Sequence, residues 1–138
     1  MVWVVRDVRT FDGEETEVDR YLDIVLDGVE WGALFYDELR CPKGIDEPYQ
    51  YGQDLEEWKR SYVQKFRQAI PDSPMLARIW DMYIDVGYEP GEVAALFREC
   101  TALRARVSND EAQEWLSKML SACHVALQQN LGVYLACD

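Results

Sequence analysis

The segment from Tyr21 to Asp37 carries the clearest local pattern in the chain. Aliphatic side chains recur there at every second position, at Leu22, Ile24 and Leu26. In a strand this spacing directs the aliphatic side chains to one face and Asp23 and Asp27 to the other. The dipeptide Asp27-Gly28 that follows is typical of a two-residue hairpin turn. The segment therefore predicts a β-hairpin in which Val29 to Trp31 pair back on the first strand.

Two further stretches are rich in β-prone residues. Val2 to Val8 predicts a first strand, which an acidic loop from Thr10 to Asp19 joins to the hairpin. Val133 to Cys137 could add a final strand to the same sheet or simply pack on it. These segments predict a small antiparallel sheet of about three strands, with one face covered and one in contact with water.

Apolar residues recur at helical spacing through most of the second half of the chain. Four signals predict the beginnings of helices: Asp54, Ser73-Pro74, Pro90, and a capping box of Ser108 with Glu111. The first helix is expected to end at Pro71, the second near Gly87 and the last at Gly132.

Strands and helices are segregated along the chain, which favours an α+β fold. We predict one domain over residues 1–138, with a small N-terminal antiparallel sheet packed against about four α-helices. Residues 1–40 form the sheet region, 41–53 a loop, 54–132 the helical region and 133–138 an apolar tail. A chain of 138 residues can bury about two thirds of the surface that it exposes when unfolded.

The formal net charge of −12 is concentrated in the first part of the chain. Residues 1–57 contain 16 acidic and 5 basic side chains. Such a field repels nucleic acid and anionic lipid and favours encounter with a basic protein, although acidity can also serve solubility alone. No apolar run approaches the ~18 residues of a membrane span, and the first nine residues do not look like a signal peptide. We therefore expect a cytoplasmic protein with neither a nucleic-acid nor a membrane partner.

No combination of residues predicts a reaction. His124 is the only histidine, and it follows Ser121 on a polar helix stripe with no acid spaced to orient it. Cys100 and Cys123 fall on apolar helix faces, where cysteine acts as a small hydrophobic residue, and no CxxC pair is present. The glycines form no phosphate-binding loop. We predict no catalytic residue, no metal site and no cofactor.

In size, acidity, aromatic content and lack of motifs, the chain resembles the immunity proteins of bacterial toxin systems. The likeness is one of general character and includes the C-terminal stretch CHVALQQNLGVYLACD, a predicted helix that leads into an apolar tail. The resemblance implies a protein that binds a cognate toxin, a basic one in particular, and blocks its working surface. It transfers no site residue.

The residues themselves predict a partner-binding surface of aromatic anchors beside charges that steer association. Its predicted members are Asp23, Asp27, Glu30, Trp31, Tyr36, Asp37, Tyr49 and Tyr51. Two alternatives stay open. One is an acidic mimic of nucleic acid. The other is a small-molecule-binding protein or enzyme with a pocket between the helices and the sheet, lined by Trp58, Trp80 or Trp115, although each tryptophan lies on an apolar helix stripe that favours the core.

Overall fold

A computed structural model describes residues 1–9, 20–43, 52 and 54–136. These residues form an α+β fold, as the sequence predicts. The sheet contains β1 (Val2–Val5), β2 (Arg20–Ile24), β3 (Val86–Tyr88) and β4 (Gly132–Leu135) in the antiparallel order β2-β1-β4-β3. Of the two possibilities predicted for Val133 to Cys137, the structure shows the added strand, and it pairs directly with β1. The predicted acidic loop from Thr10 to Asp19 lies outside the described residues.

Alternation within the strands divides the sheet into two faces. Val2 and Val4 of β1 are fully buried, as is Val133 of β4. On the opposite face Trp3 stacks on Tyr134, with ring centroids 6.5 Å apart. The first strand ends at Val5, three residues earlier than predicted.

The predicted hairpin at Asp27-Gly28 is wrong, because the chain enters a helix there. Helix α1 spans Gly28–Gly32 and continues as a π-helical segment over Ala33–Glu38. The carboxylate of Asp27 caps α1 by accepting a 2.7 Å hydrogen bond from the backbone N–H of Val29. Three buried side chains of α1 and the π-helical segment, Trp31, Leu34 and Phe35, follow the helical i, i+3, i+4 spacing.

The predicted helix from Ser73 to Gly87 is also wrong. The structure has a single 3₁₀ turn at Leu76–Arg78, and β3 follows. The carboxylate of Glu99 accepts hydrogen bonds from the backbone N–H groups of Met75 and Leu76, at 3.1 and 3.0 Å. The Glu99 carboxylate thus provides hydrogen-bond acceptors for the first backbone N–H groups of the turn, so a longer helix is not needed to satisfy them. In the described part of the chain, four α-helices are present, the predicted number, because α1 takes the place of this one.

Three helices agree with the sequence prediction: α2 (Leu55–Ala69), α3 (Pro90–Arg106) and α4 (Asp110–Gln129). Asp54 caps α2, as expected. The cap of α4 is Asn109, whose side-chain oxygen accepts from the backbone N–H groups of Glu111 and Ala112, so the prediction of Ser108 is off by one residue. Helix α4 ends at Gln129, its C-terminal cap Asn130 has the left-handed conformation, and Gly132 belongs to β4 rather than ending the helix.

The core is built around α4, which contacts α1, α3 and the sheet. Trp115, Leu116, Met119 and Cys123 of α4 are fully buried. Phe35 meets Trp115 edge-on, with ring centroids 5.4 Å apart, and packs against Phe66 of α2 at 5.7 Å. Aromatic pairs of this geometry add to the free energy gained by burial. They join α1, α2 and α4 into one core.

Two buried thiols lead us to expect that alkali destabilises the fold. Burial raises the pKa of the Cys41 and Cys123 thiols from 9.0 to about 12. The folded chain therefore keeps these protons at a pH where the unfolded chain has released them. Their contribution is fully present below about pH 9 and is lost as the pH rises toward 12. Each such thiol should lower the free energy of unfolding by about 1.4 kcal/mol per pH unit within that window.

Urea denaturation at pH 8, 9, 10 and 11 checks this expectation. The midpoint should be flat up to pH 9 and fall beyond it, and Cys123→Ala should fall less steeply than the unsubstituted chain. Parallel pH profiles for the two proteins would contradict the assignment to Cys123.

Candidate binding pocket beside the first helix

A pocket of about 280 Å³ lies where the start of α1, the turn before β3 and the end of β4 meet. Its aliphatic walls are formed by Leu26, Ile79, Met82, Ile84 and Leu135. Two tryptophans, Trp31 of α1 and Trp115 of α4, complete the apolar lining. The pocket thus lies between helices and sheet, as one of the two alternative interpretations predicts. Trp115 lines it, whereas Trp58 and Trp80 lie elsewhere.

Gly28 brings the two sides of the pocket together. A Cβ atom added at this position would lie 2.4 Å from the terminal methyl carbon of Met82. The missing side chain therefore lets Met82 rest against the first turn of α1. The Asp27-Gly28 pair that resembles a hairpin turn in the sequence thus supplies a helix cap and a close contact.

The two tryptophans of the lining are held firmly by the core. Trp31 is 4% exposed, and its ring lies 4.9 Å from that of Phe35. Trp115 is fully buried. Among the residues that the structure describes, neither indole Nε1–H has a hydrogen-bond partner. Buried tryptophan N–H groups usually have one, so these two donors are unusual.

Exposed apolar side chains occur in the pocket lining and next to lining residues in the chain. Tyr83, in the lining, is 71% exposed, and Val25 and Val29, which flank the lining residues 26–28, are each 63% exposed. The other large hydrophobic side chains with comparable exposure in the described part of the chain are Leu55 and Leu127. We call Val25, Val29 and Tyr83 the apolar rim.

Carboxylates dominate the charge near the apolar rim. Asp27 lies in the lining and is exposed, and Asp81 and Asp85 flank the lining residues 82–84. Asp81 accepts a hydrogen bond from the backbone N–H of Tyr83, which fixes the turn that presents the tyrosine. The amino group of Met1 donates to the carbonyl of Ala136. Apart from that group, the described lining contains no cation.

The structure separates the predicted site residues. Glu30 and Trp31 do not continue an acidic strand face, because both point inward from α1. The Nζ atom of Lys118 lies 2.8 and 3.0 Å from the two carboxylate oxygens of Glu30, and the Glu30 side chain is only 14% exposed. The predictions that Glu30 adds surface charge and that Trp31 is an exposed anchor are therefore corrected.

The other predicted residues are more scattered. Asp27 is in the pocket lining. Asp37 is exposed on the π-helical segment and is not part of the lining. Tyr36 is half-buried and meets Trp31 edge-on at 4.9 Å. Asp23 is in β2, opposite Trp3 of β1. Tyr49 and Tyr51 lie outside the described residues.

The sequence interpretation missed the apolar rim. Tyr83 falls within the predicted helix from Ser73 to Gly87, which does not form, and Val29 was expected in a returning strand. The Asp27 cap could have indicated the exposure of Val29. If Asp27 caps a helix, Val29 is the second helical residue and lies two positions before Trp31, which is buried. On a helix, positions two apart face different directions.

The described residues that could serve catalysis or metal binding are not grouped into a site. His124 is exposed on α4, and the hydroxyl of Ser121 donates to the carbonyl of Ser117. Cys41, Cys100 and Cys123 are buried free thiols. Among the described residues, no three potential metal ligands of the His, Cys, Asp or Glu type come together. In that same part of the chain, each helix is too short or too polar to cross a bilayer.

No family model, curated protein or solved structure matches this chain. The pocket and its surroundings are therefore the basis for a functional proposal.

Proposed function

We propose that this chain is a protein-binding inhibitor that contacts its partner through the apolar rim and the pocket inside it, in the manner of an immunity protein that neutralises a toxin. The observation that carries this proposal is an apolar pocket with the exposed Tyr83 in its lining, together with the exposed Val25 and Val29, which flank lining residues 26–28 in the chain. Interface hot spots combine an aromatic or aliphatic anchor with a well-packed pocket, and exposed apolar patches mark such sites.

The charge distribution favours a basic partner. The chain has a formal net charge of −12. Asp27 is in the pocket lining, and Asp81 directly precedes the lining residue Met82 in the chain. Complementary charge speeds association and excludes acidic competitors more than it adds affinity. A basic toxin has the charge that this surface would attract.

An acidic mimic of nucleic acid has less support, because several carboxylates are used inside the fold. Glu38 accepts from the backbone N–H of Asn109 at 2.8 Å, and Glu99 caps the turn at Leu76. Glu92 pairs with Arg78, and Glu30 with Lys118. A mimic would need such groups arrayed outward like phosphates.

A small-molecule enzyme also has less support. The pocket volume of about 280 Å³ lies just under the ~300–1,000 Å³ that is common for small-molecule sites. Asp27 is its one carboxylate, and that group already accepts the helix-capping hydrogen bond. Tyr83 is the other titratable side chain of the described lining, and the lining contains no histidine, cysteine, lysine or second carboxylate for acid–base chemistry.

The test is a matched pair of substitutions. Val29→Asp alters the apolar rim, whereas Leu127→Asp makes the same change at another exposed aliphatic residue, about 18 Å further along α4 than Trp115. The partner would be captured from cells of the source organism, identified, purified and titrated by calorimetry. We expect a one-to-one complex that Val29→Asp weakens about 30-fold and Leu127→Asp leaves unchanged. Equal affinities for both variants would contradict the proposal.

The role of charge is tested separately with Asp27→Asn. Asparagine is as good a helix cap as aspartate, so the substitution removes the charge and keeps α1. Replacement by lysine would remove the cap as well. We expect a slower association rate at low ionic strength, with little change in dissociation rate and a smaller difference at high salt. An association rate unchanged at low salt would show that this carboxylate does not steer the partner.

A further inference from the structure

We propose that the exposed face of α2 binds an acidic helical segment of a partner protein, which lies antiparallel to α2. This face is distinct from the apolar rim, because the depression on α2 and the pocket at α1 share no described lining residue. The inference therefore goes beyond the proposed function and does not depend on it. We call the face the basic stripe, and its members are Glu56, Lys59, Arg60, Val63, Gln64 and Arg67.

The basic stripe lines a depression of about 430 Å³ on a helix that is largely exposed. Of the 15 residues of α2, only Tyr62 and Phe66 are buried. The stripe residues recur at i, i+3, i+4, i+7, i+8 and i+11 from Glu56, so they occupy roughly 100° of the circumference of the helix. When two helices pack, side chains at this spacing form the contact. The face therefore has the shape that one further helix would cover.

The charge of the stripe is opposite to that of the chain. Residues 58–67 contain four basic side chains and no acidic one, whereas the formal net charge of the chain is −12. Arg60 and Arg67 are exposed, and within the described part of the chain neither has a carboxylate in ion-pair contact. Arginine binds carboxylates through paired hydrogen bonds. Two such groups are thus available to an acidic partner.

A peptide segment suits the stripe better than a nucleic acid does. Val63 lies between Arg60 and Arg67, three residues after the first and four before the second, so an apolar side chain of the partner can cover it. A phosphate backbone has no apolar group to place there. Duplex DNA also carries one negative charge per ~1.7 Å, which the acidic remainder of this chain would repel. A short peptide can confine its carboxylates to the stripe.

The order of charges along α2 sets the direction of the partner helix. Glu56 lies in the first turn of α2 and Arg67 in the last. Helices favour acidic residues in the first turn and basic residues in the last, because these suit the helix dipole. Such a helix complements α2 only when it is antiparallel, with its acidic end at Arg67 and its basic end at Glu56. A second copy of this chain is a poor occupant, because two stripes would place three cations against three.

The spacing of the stripe predicts the sequence pattern of the partner. In an antiparallel pair, a residue opposite Arg67 is followed four positions later by one opposite Val63, since both helices rise by about 1.5 Å per residue. The residues opposite Arg60 and Lys59 come seven and eight positions after the first, and the one opposite Glu56 comes eleven after it. The complementary pattern is Glu-x-x-x-Leu-x-x-Glu-Glu-x-x-Lys.

Nuclear magnetic resonance of the ¹⁵N-labelled protein tests the proposal with the peptide acetyl-EQAALAQEEAQK-amide as the probe. We expect saturable shifts of the backbone amide signals of α2, with a Kd on the order of 0.5 mM at ~20 mM ionic strength and about 10-fold weaker binding at ~0.3 M. The same peptide with its glutamates replaced by glutamine should cause no shift. A nitroxide on an added N-terminal cysteine of the peptide should broaden signals near Arg67 and spare those near Glu56.

Two double variants separate the stripe from the net charge of the chain. Arg60→Gln with Arg67→Gln should weaken peptide binding at least 5-fold, because it removes both available guanidinium groups. Arg98→Gln with Arg104→Gln removes the same charge from two exposed arginines of α3 and should leave the Kd unchanged. Glutamine is a good helix former, and circular dichroism would show that both variants keep the fold.

Four results would overturn the proposal. They are the absence of saturable shifts in α2, equal weakening by the two double variants, nitroxide broadening near Glu56 in place of Arg67, and tighter binding of a nucleic acid. The nucleic-acid probe is an oligothymidylate of the same length as the peptide. If it shifts the α2 signals at lower concentration than the peptide does, the stripe is a nucleic-acid site. None of these results bears on the apolar rim, which the Val29→Asp comparison tests.

Discussion

Replacing Lys118 with methionine is expected to lower the free energy of unfolding by about 3 kcal/mol, because Glu30 would be left in the protein interior without its cation. The ammonium group contacts both carboxylate oxygens, at 2.8 and 3.0 Å. The side chains of Lys118 and Glu30 are 22% and 14% exposed, so water can replace the lost interaction only in part. This pair joins α4 to α1 next to the pocket. Urea denaturation measures the loss.

Two comparisons identify the cause. Lys59→Met removes an exposed lysine of α2 whose charge lies 5.7 Å from the centre of the Trp80 ring, and it should cost less than about 1 kcal/mol. The double variant Glu30→Leu with Lys118→Met removes both charges and should recover most of the stability that the single change loses. If Lys118→Met costs no more than Lys59→Met, the ion pair does not hold α1 on α4.

Replacing Gly132 with alanine is expected to lower the free energy of unfolding by about 2 kcal/mol. A Cβ atom at this position would lie 2.8 Å from the main-chain carbonyl oxygen of Tyr88 and 2.7 Å from a methyl carbon of Val8. A main-chain carbonyl cannot move aside as a flexible side chain can. The added methyl group would therefore push β4 away from β3.

Gly91→Ala is the matched control. Gly91 lies in the first turn of α3, and a Cβ atom there would meet no other atom within 4 Å. Alanine should be neutral there or raise stability by up to about 1 kcal/mol, since it is the better helix former. Thermal unfolding followed by circular dichroism compares the two variants. Similar melting temperatures would contradict the proposed clash at Gly132.

The sequence was most informative where a long apolar helix stripe follows a clear N-terminal signal. Helices α2 and α3 have apolar stripes of four turns or more and clear N-terminal signals, and both form as predicted. The C-terminal strand was also recognisable from its β-prone residues. These features depend on nearby residues, so they can be inferred without the rest of the fold.

Two segments could not be inferred, because distant residues decide their structure. The alternation up to Leu26 and the Asp27-Gly28 dipeptide predict a hairpin, whereas Trp31 and Phe35 are held in a helix by packing against Phe66 and Trp115. Similarly, the turn at Leu76 is completed by Glu99, 23 residues further along the chain. Tertiary contacts of this kind override local propensity.

The candidate site was predictable only in part. Asp27 and Trp115 were both recognised, the first as a surface charge and the second as a residue that could line a pocket between helices and sheet. Their proximity depends on how α1 crosses α4, which no local pattern specifies. Glutamate is usually a surface residue, which is how the sequence was interpreted at Glu30. Its ion-pair partner Lys118 is 88 positions away in the chain, and no local pattern predicts that contact.

The most direct test of the central claim, that a protein partner contacts the apolar rim, is site-specific photo-cross-linking in cells of the source organism. A p-benzoylphenylalanine residue would replace Tyr83 in one strain and Leu127 in another, since both side chains are exposed. We expect a discrete cross-linked adduct from position 83, containing a basic protein, and none from position 127. A discrete adduct from position 127 with none from position 83 would contradict the account.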